Sequence, residues 1–403
     1  MLSLAFRNIF RHKGRTSLTL ATIIFGVSGL ILTGGFIEDI FHNLREATIH
    51  SQLGHLQVYR EGYLEHGRRD PYSYLMSDTA ELTEAIRGLP DVSDVLRRVR
   101  FSGLANNGYA DLPVLGEGVE PDGEARLGTL MTIIKGRQLT SEDAYGILIG
   151  RGVAEAMQVN PGDYITLLAN TTDGALNSLE FEVIGIFRTF ARDYDNRAIR
   201  IPLDAARDLI ASEGVHSIVV SLNAAEETDQ ITGLIRQRFQ SSGYEARAWY
   251  ELADFYSKTV DLYDRQFLVL QSIILFMVLL GVSNSVNMAV YERIGEFGTM
   301  MALGERRVDI FALVVSENLL LGLLGASAGV LAGIGVAFLI SAIGIEMPPP
   351  PNSDMGYIAQ IHLVPDVIIT AFIVGVVATL LASLLPAYRA VRLPVVDALR
   401  ENI

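Results

Sequence analysis

Four stretches of this chain carry no charged side chain, and each is long enough to cross a bilayer. Residues 16–37 read TSLTLATIIFGVSGLILTGGFI, 22 uncharged residues, and residues 266–291 form a run of 26. A third run lies between Glu317 and Glu346, and a fourth between Asp366 and Arg389. A hydrocarbon core about 30 Å thick needs roughly 20 apolar residues of helix. The expectation is four transmembrane helices, at 16–37, 266–290, 308–345 and 367–388.

Charge is distributed to match. Residues 38–265 hold 36 Asp+Glu and 22 Lys+Arg, which accounts for the whole net charge of −14. That long acidic segment reads as a separate soluble domain between the first two spans. Its acidity gives no electrostatic footprint for nucleic acid. Cationic residues in the short segments flanking the spans set the orientation. Arg7, Arg11, Lys13 and Arg15 precede the first span, and Arg293, Arg306 and Arg307 lie in the connector at 291–307. Arg389, Arg392 and Arg400 follow the fourth span, while the loop at 346–366 has no Lys or Arg. This places 1–15, 291–307 and 389–403 in the cytoplasm, with 38–265 and 346–366 outside. The first span is read as an uncleaved anchor, being too long for a signal peptide and without an A-x-A-like exit. There is no cysteine, so no disulfide framework or thiolate metal site.

Within the acidic domain, Leu56 to Tyr59 and Ile218 to Leu222 read as strands. TAELTEAIRGL (79–89) and ETDQITGLIRQRF (227–239) read as amphipathic helices. Between them DLPVLGEGV, GILIG, DYITLLA, LEFEVIGIF and RAIRIP are short β-like runs, punctuated by NPGD and TTDG. The pattern suggests an α/β layer built from both ends of the domain, with a β-rich insert near 101–210. The PPPP tract at 348–351 reads as a stiff turn.

Several chemistries find no support. A phosphate-binding loop needs G-K-[ST], and none of the three lysines, Lys13, Lys135 and Lys258, follows a glycine. The chain is therefore not expected to be an ATPase, nor an enzyme of another class. ILIGRGVAEAM (147–157) imitates a dinucleotide fingerprint, but a strand-to-helix turn explains Gly150 and Gly152. His42, His50, His55 and His66 lack metal-ligand spacing and read as surface or helix-face residues. No catalytic, cofactor or metal site is expected on this chain.

Three membrane features stand out. Gly325, Gly329 and Gly333, four apart, suit close helix packing within a bundle or between subunits. Glu317 is a carboxylate inside an apolar stretch, where charge is costly, so either an interfacial ion pair or a gating role is expected. The connector YERIGEFGTMMALGERR (291–307) has Ile294, Phe297 and Met301 on one helical face, with Glu292 and Glu296 on a neighbouring one. It reads as a short interfacial helix, either merely membrane-associated or docking into a groove on a partner.

The connector resembles the E-R-x-x-E-I-G-x-x-R-A-x-G coupling segment of the FtsX/MacB-type (type VII) ABC transporter permeases, through Glu292, Arg293, Glu296, Phe297, Gly298, Ala302 and Gly304. Met301 stands where that family commonly has an arginine. LAFRNIFRHKGRTSLTL at the start and LLPAYRAVRLPVVDALREN at the end resemble the family's opening and closing motifs. The resemblance covers essentially the whole chain. It implies a four-helix membrane protein with a large extracytoplasmic α+β domain of Porter-like and β-rich Sabre-like parts. It also implies a homo- or heterodimer of permeases bound to two copies of a separate ATPase, which would hold the ATP and Mg. The connector would then be a coupling helix, in the inner membrane of a bacterium. The segment from ILIGRGVAEAM to YDNRAIRIPLDAARDLI looks closer to the lipoprotein-releasing LolC/LolE branch than to MacB. Lipoprotein release or extraction of another hydrophobic cargo, with a periplasmic carrier, is the leading expectation. MacB-like efflux through an adaptor and outer-membrane duct, FtsX-like activation of a cell-wall hydrolase, and a membrane scaffold without transport are the alternatives.

Overall fold

The computed structural model describes residues 13–67, 69–239, 241–348 and 356–392. Residues 4–12 of the opening motif, Pro349 to Pro351 and residues 393–402 of the closing motif lie outside the described residues. The chain forms two compact units, one from 43–258 with 347–357, the other from 1–42, 259–346 and 358–403.

The first long helix, α1 (Lys13–Thr48), ends in a π-helical turn, Ile49–Leu53. Strand β1 (Leu56–Arg60), helix α2 (Ala80–Arg87) and the fifteen-residue strand β2 (Val92–Asn106) follow. Next come β3 (Asp111–Val119), α3 (Pro121–Leu127), β4 (Thr132–Gly136), β5 (Gly146–Gly150) and α4 (Arg151–Met157). Then β6 (Tyr164–Asn170), β7 (Leu176–Arg188), β8 (Ala198–Pro202) and α5 (Leu203–Ile210) lead to β9 (Ser217–Leu222), α6 (Thr228–Phe239) and β10 (Tyr244–Ala248).

Strand pairing divides this unit in two. The order β10-β1-β9-β2, all antiparallel, with α2 and α6 in the two crossovers, is the ferredoxin-like arrangement. Leu82 and Ile86 of α2, with Ile231 and Ile235 of α6, are buried against this sheet. Everything from the second half of β2 to α5 is inserted between its second and third strands. In the insert, β2 pairs β3, β3 pairs β8, β8 pairs β5, β5 pairs β7, β7 pairs β6 and β6 returns to β2. The six strands close into a barrel, which removes the free edges. Strand β2 belongs to both parts: Val92 to Arg98 face β9, and Val99 to Asn106 face β3. One apolar core runs through both, from Val58, Ile86 and Ile218 to Ile147, Phe181 and Ile199.

His55 departs from the sequence expectation of a surface or helix-face residue. It is 2 % exposed, and its Nδ1 accepts the Leu222 backbone N–H at 3.1 Å. Its neighbour in kind, His216, is fully buried and accepts the Arg100 N–H at 3.0 Å. Burial first, then the nearby charges of His50 for His55 and Arg100 for His216, depresses both imidazoles from 6.5 to about 4. The unfolded chain takes up these protons as pH falls through about 6.5, whereas the folded unit resists until about 4. Stability is therefore complete above neutrality and is lost as pH falls between those values, by about 2 kcal/mol per histidine at pH 5. Denaturant titrations at pH 7.5 and 5 will show this loss, and His216→Asn, which keeps an acceptor at the Nδ1 position, will roughly halve it, leaving the share of His55. Equal stability at the two pH values would contradict the assignment.

The second unit is helical. It contains α1, α7 (Asp254–Glu292), α8 (Ile294–Ala302), α9 (Arg307–Ile343) and α10 (Pro365–Arg392). A small two-stranded sheet, β11 (Ile345–Met347) with β12 (Tyr357–Ala359), lies between α9 and α10 in the chain. Four of these helices are long and apolar enough to cross a membrane. Their shared core takes Ile23, Val27 and Ile31 from α1, Val278, Val282 and Val286 from α7, Val314 and Ala326 from α9, and Ala371, Ala378 and Ala382 from α10.

The three glycines four apart pack inside this bundle, against α1. A Cβ on Gly325 would lie 2.9 Å from Ile23, one on Gly329 2.8 Å from Val27, and one on Gly333 3.2 Å from Ile31. The Ser28 hydroxyl donates to the Gly329 carbonyl at 2.9 Å. The period-four stripe of glycine on α9 thus receives a period-four stripe of β-branched residues on α1. Gly329→Leu is expected to overpack this seam and cost about 1–3 kcal/mol. Thermal melting in detergent will show the loss, and Val27→Ala in the same chain will restore part of it. An unchanged melting temperature in the single variant would contradict this packing.

Candidate functional site

The connector forms α8, and its geometry follows from its apolar period. Ile294 and Phe297 are 4 % and 2 % exposed, Gly295 and Gly298 are buried beside them, and Met301 is half-buried against the same core. Phe297 joins Val290, Ile310, Ala387 and Ala390 in the core of the bundle. The apolar face is therefore consumed within this chain. The sequence reading of an apolar face offered to a partner groove is corrected in that respect. Exposed along the connector, on α8 and at its two ends, are Glu292, Glu296, Thr299, Ala302, Leu303, Gly304 and Glu305.

Arg293 anchors the start of the helix. Its guanidinium donates to Glu317 Oε2 at 2.7 Å and to Glu296 Oε2 at 3.1 Å, and lies 5.1 Å from the centre of the Phe297 ring. Glu317 is 9 % exposed, on α9. The ion pair expected for this carboxylate is present, and its partner is Arg293. A desolvated, charge-assisted bond of this kind ties the connector to the third long helix. The far end closes with a Schellman turn. Gly304, at φ +101°, donates to Met301 O at 3.2 Å, and Glu305 donates to Met300 O at 3.1 Å. Only glycine adopts that backbone without cost, so Gly304 shapes the reversal into α9. Arg306 N then donates to Asp309 Oδ2 at 3.2 Å, opening α9.

The seven residues matching the coupling motif thus fall into two groups. Arg293, Phe297 and Gly298 face inward and hold the helix, with Met301 beside them. Glu292, Glu296, Ala302 and Gly304 lie on the outer side. Glu317 joins the first group across the fold, a link the sequence spacing does not reveal.

A second cluster sits in the other unit, where α1 ends. Arg98 on β2 and Arg200 on β8 are almost wholly buried. Arg98 donates to Glu124 Oε2 at 2.7 Å and also to the backbone carbonyl of Gln52. Arg200 donates to the Ser51 carbonyl at 3.0 Å and lies 3.3 Å from Glu117 Oε2. Both guanidinia therefore bind carbonyls of the π turn that terminates α1. Those groups would otherwise be orphaned, and cations there also suit the helix dipole. Burial alone would raise the Glu117 carboxyl, but Arg98, Arg200 and Arg100 hold it down at about 2. Sequence reasoning missed this clamp. Its signal was arginine occupying inward positions in strands, in VLRRVRF and AIRIP.

The dinucleotide-like segment has no room for phosphate. A Cβ on Gly150 would lie 2.2 Å from Asp195 O, and one on Gly152 2.1 Å from Asn196 Oδ1, so the chain's own turn fills the space. Among the described residues no cluster of His, Asp and Glu is arranged to hold a metal ion.

Comparison with known proteins bears directly on this arrangement. The MacB-like periplasmic core domain family matches residues 16–238, and the FtsX-like permease C-terminal family matches residues 268–395. The chain belongs to the MacB/FtsX-type ABC transporter permeases. An uncharacterized ABC transporter permease of Methanocaldococcus jannaschii is 24 % identical, over 99 % of this chain and 97 % of its own. The lipoprotein-releasing system transmembrane protein LolC of Xylella fastidiosa is 21 % identical, over 99 % of this chain and 98 % of its own. The macrolide export ATP-binding/permease protein MacB of Hyphomonas neptunium is 24 % identical over the full chain, which spans 60 % of that relative. As a permease of this family the chain is a membrane protein with an extracytoplasmic domain, and family membership implies an ATPase partner.

Proposed function

We propose that this permease is the force-transmitting membrane subunit of a complex in which a separate ATPase docks on the outer face of α8. The observation that carries this reading is the division of α8. Its apolar side is locked to the bundle through Phe297 and the Arg293–Glu317 bond, while a mixed polar side faces outward. A merely membrane-associated helix would show its apolar side instead. Motion imposed at α8 would pass through Glu317 to α9, and through the glycine seam to α1. At its end, α1 is held by Arg98 and Arg200, so displacement of that helix would move the domain. ATP and Mg would reside on the partner, in two copies, with a second permease completing a homo- or heterodimer.

Cationic flanks favour an inner-membrane orientation with α8 and both termini cytoplasmic and the acidic domain periplasmic. Similarity to LolC along its whole length supports lipoprotein release, or extraction of a comparable hydrophobic cargo, as the work done there. A periplasmic lipoprotein carrier would then receive the cargo. Tyr109, 98 % exposed at the tip of the β2–β3 hairpin, is a suitable site for a photocrosslinking side chain. Adducts with a lipoprotein or its carrier are expected in living cells. An adaptor would move the function to MacB-like efflux, a cell-wall hydrolase to FtsX-like activation, and the absence of any adduct would contradict all three.

A further inference from the structure

Between the ferredoxin-like sheet and the barrel lies a cleft of about 600 Å³, in the size range of small-molecule sites. Tyr59 and Tyr63 line it from the sheet side, Phe101 and Leu115 from the barrel, and Arg100 and Glu117 form its polar part. Leu115 is half-exposed at 51 %, so the cleft is open to solvent. The aromatic and aliphatic walls suit an apolar body. Burial raises the Tyr59 and Tyr63 phenols above their ordinary value, and the Tyr59 hydroxyl donates to Gln57 Oε1.

The polar part is unbalanced. Three guanidinia, Arg98, Arg100 and Arg200, share two carboxylates, Glu117 and Glu124, leaving one positive charge in a largely buried group. Arg98 and Arg200 are committed to Glu124, Glu117 and the π-turn carbonyls. Arg100 interacts with the Tyr59 and Tyr63 hydroxyls, and its contacts to Gln57 Oε1 at 3.5 Å and Glu117 Oε1 at 3.6 Å lie at the outer limit of such bonds, with its side chain 33 % exposed. A planar fork of five donors with long contacts, beside a Glu117 carboxylate that it shares with Arg200, favours a monoanion over a dianion.

The geometry points to this cleft as a binding site for a soluble monocarboxylate carrying an aromatic or aliphatic body, with Arg100 taking the carboxylate and the Tyr59, Tyr63, Phe101 and Leu115 walls taking the body. Gln52 and Leu53, from the turn held by Arg98, also border the cleft. An occupant would therefore press on the same turn that joins α1 to the domain.

The test uses the full chain in phosphatidylcholine nanodiscs and isothermal titration with 4-phenylbutyrate. The uncharged isostere 4-phenylbutan-1-ol serves as the comparison. Saturable binding of the acid is expected, at least tenfold tighter than of the alcohol. Arg100→Gln will remove that preference. Leu115→Glu, a change at a half-exposed rim position, will weaken the acid at least tenfold with the melting temperature unchanged, which covers the case in which the Arg100 variant does not fold. No saturable binding, equal affinity for acid and alcohol, or wild-type binding by Leu115→Glu would overturn the proposal.

Discussion

Replacing Arg98 with methionine is expected to destabilise the extracytoplasmic domain by about 3–5 kcal/mol, because it strands a carboxylate in a site with almost no water. Glu124 is 2 % exposed, and Arg98 supplies its two close guanidinium bonds, whereas Arg200 stands 3.6 Å away. The same change removes the donor to Gln52 O, so a backbone carbonyl of the π turn also loses its partner. For a domain of this size the loss corresponds to a melting temperature lower by about 8–15 °C. Removing both charges, in Arg98→Met with Glu124→Leu, should recover most of it, since the cost lies in the uncompensated charge. A single variant that melts within about 2 °C of the wild type would show that Arg98 does not hold this junction.

The second large effect concerns coupling. Glu296→Lys puts a cation three residues from Arg293, against the guanidinium that now bonds Glu296 at 3.1 Å, and cuts the acidic outer rim of Glu292, Glu296 and Glu305 from three negative charges to one. Ala302→Pro removes a helical N–H in the last turn of a nine-residue helix, at about 3 kcal/mol. Both changes leave the long apolar helices intact, so insertion is unaffected. Each variant is expected to lower stimulation of the partner ATPase at least tenfold in proteoliposomes. Protease protection of the extracytoplasmic domain will remain as in the wild type. Wild-type stimulation in either variant would contradict docking on this helix.

How much of this was legible in the sequence depends on the range of the interaction. The four long helices announce themselves because a bilayer excludes charge. Counting uncharged residues nevertheless stops at Ile37, whereas α1 continues to Thr48, because charge does not end a helix outside the apolar zone. The β-like runs correspond closely to strands, with DLPVLGEGV coinciding with β3 and GILIG with β5. Their pairing was not legible. The barrel depends on parallel pairs such as Leu115 with Ala198, joined across more than eighty residues with no local turn to specify them. The glycine stripe on α9 was visible, but its partner emerged only with Ile23, Val27 and Ile31 on the facing helix.

The candidate site was legible in part for the same reason. The spacing of Ile294, Phe297 and Met301 defines a helical face, yet spacing alone does not say which surface covers it. The answer lies in residues distant in the chain, such as Ile310 and Ala387. Glu317 stood out as a charge in an apolar run, and its need for a partner followed from desolvation, but the choice of Arg293 is tertiary. Arg98 and Arg200 went unrecognised because charge in a strand reads as solvent-facing. Their carboxylates arrive from β3 and α3.

The most direct test of the central claim is photocrosslinking in living cells from a benzophenone side chain at Leu303. This position is 83 % exposed, immediately after α8. The account predicts an adduct with an ATPase that carries a phosphate-binding loop, lost in Glu296→Lys and Ala302→Pro. A folded, membrane-inserted chain that yields no ATPase adduct from Leu303 would contradict it.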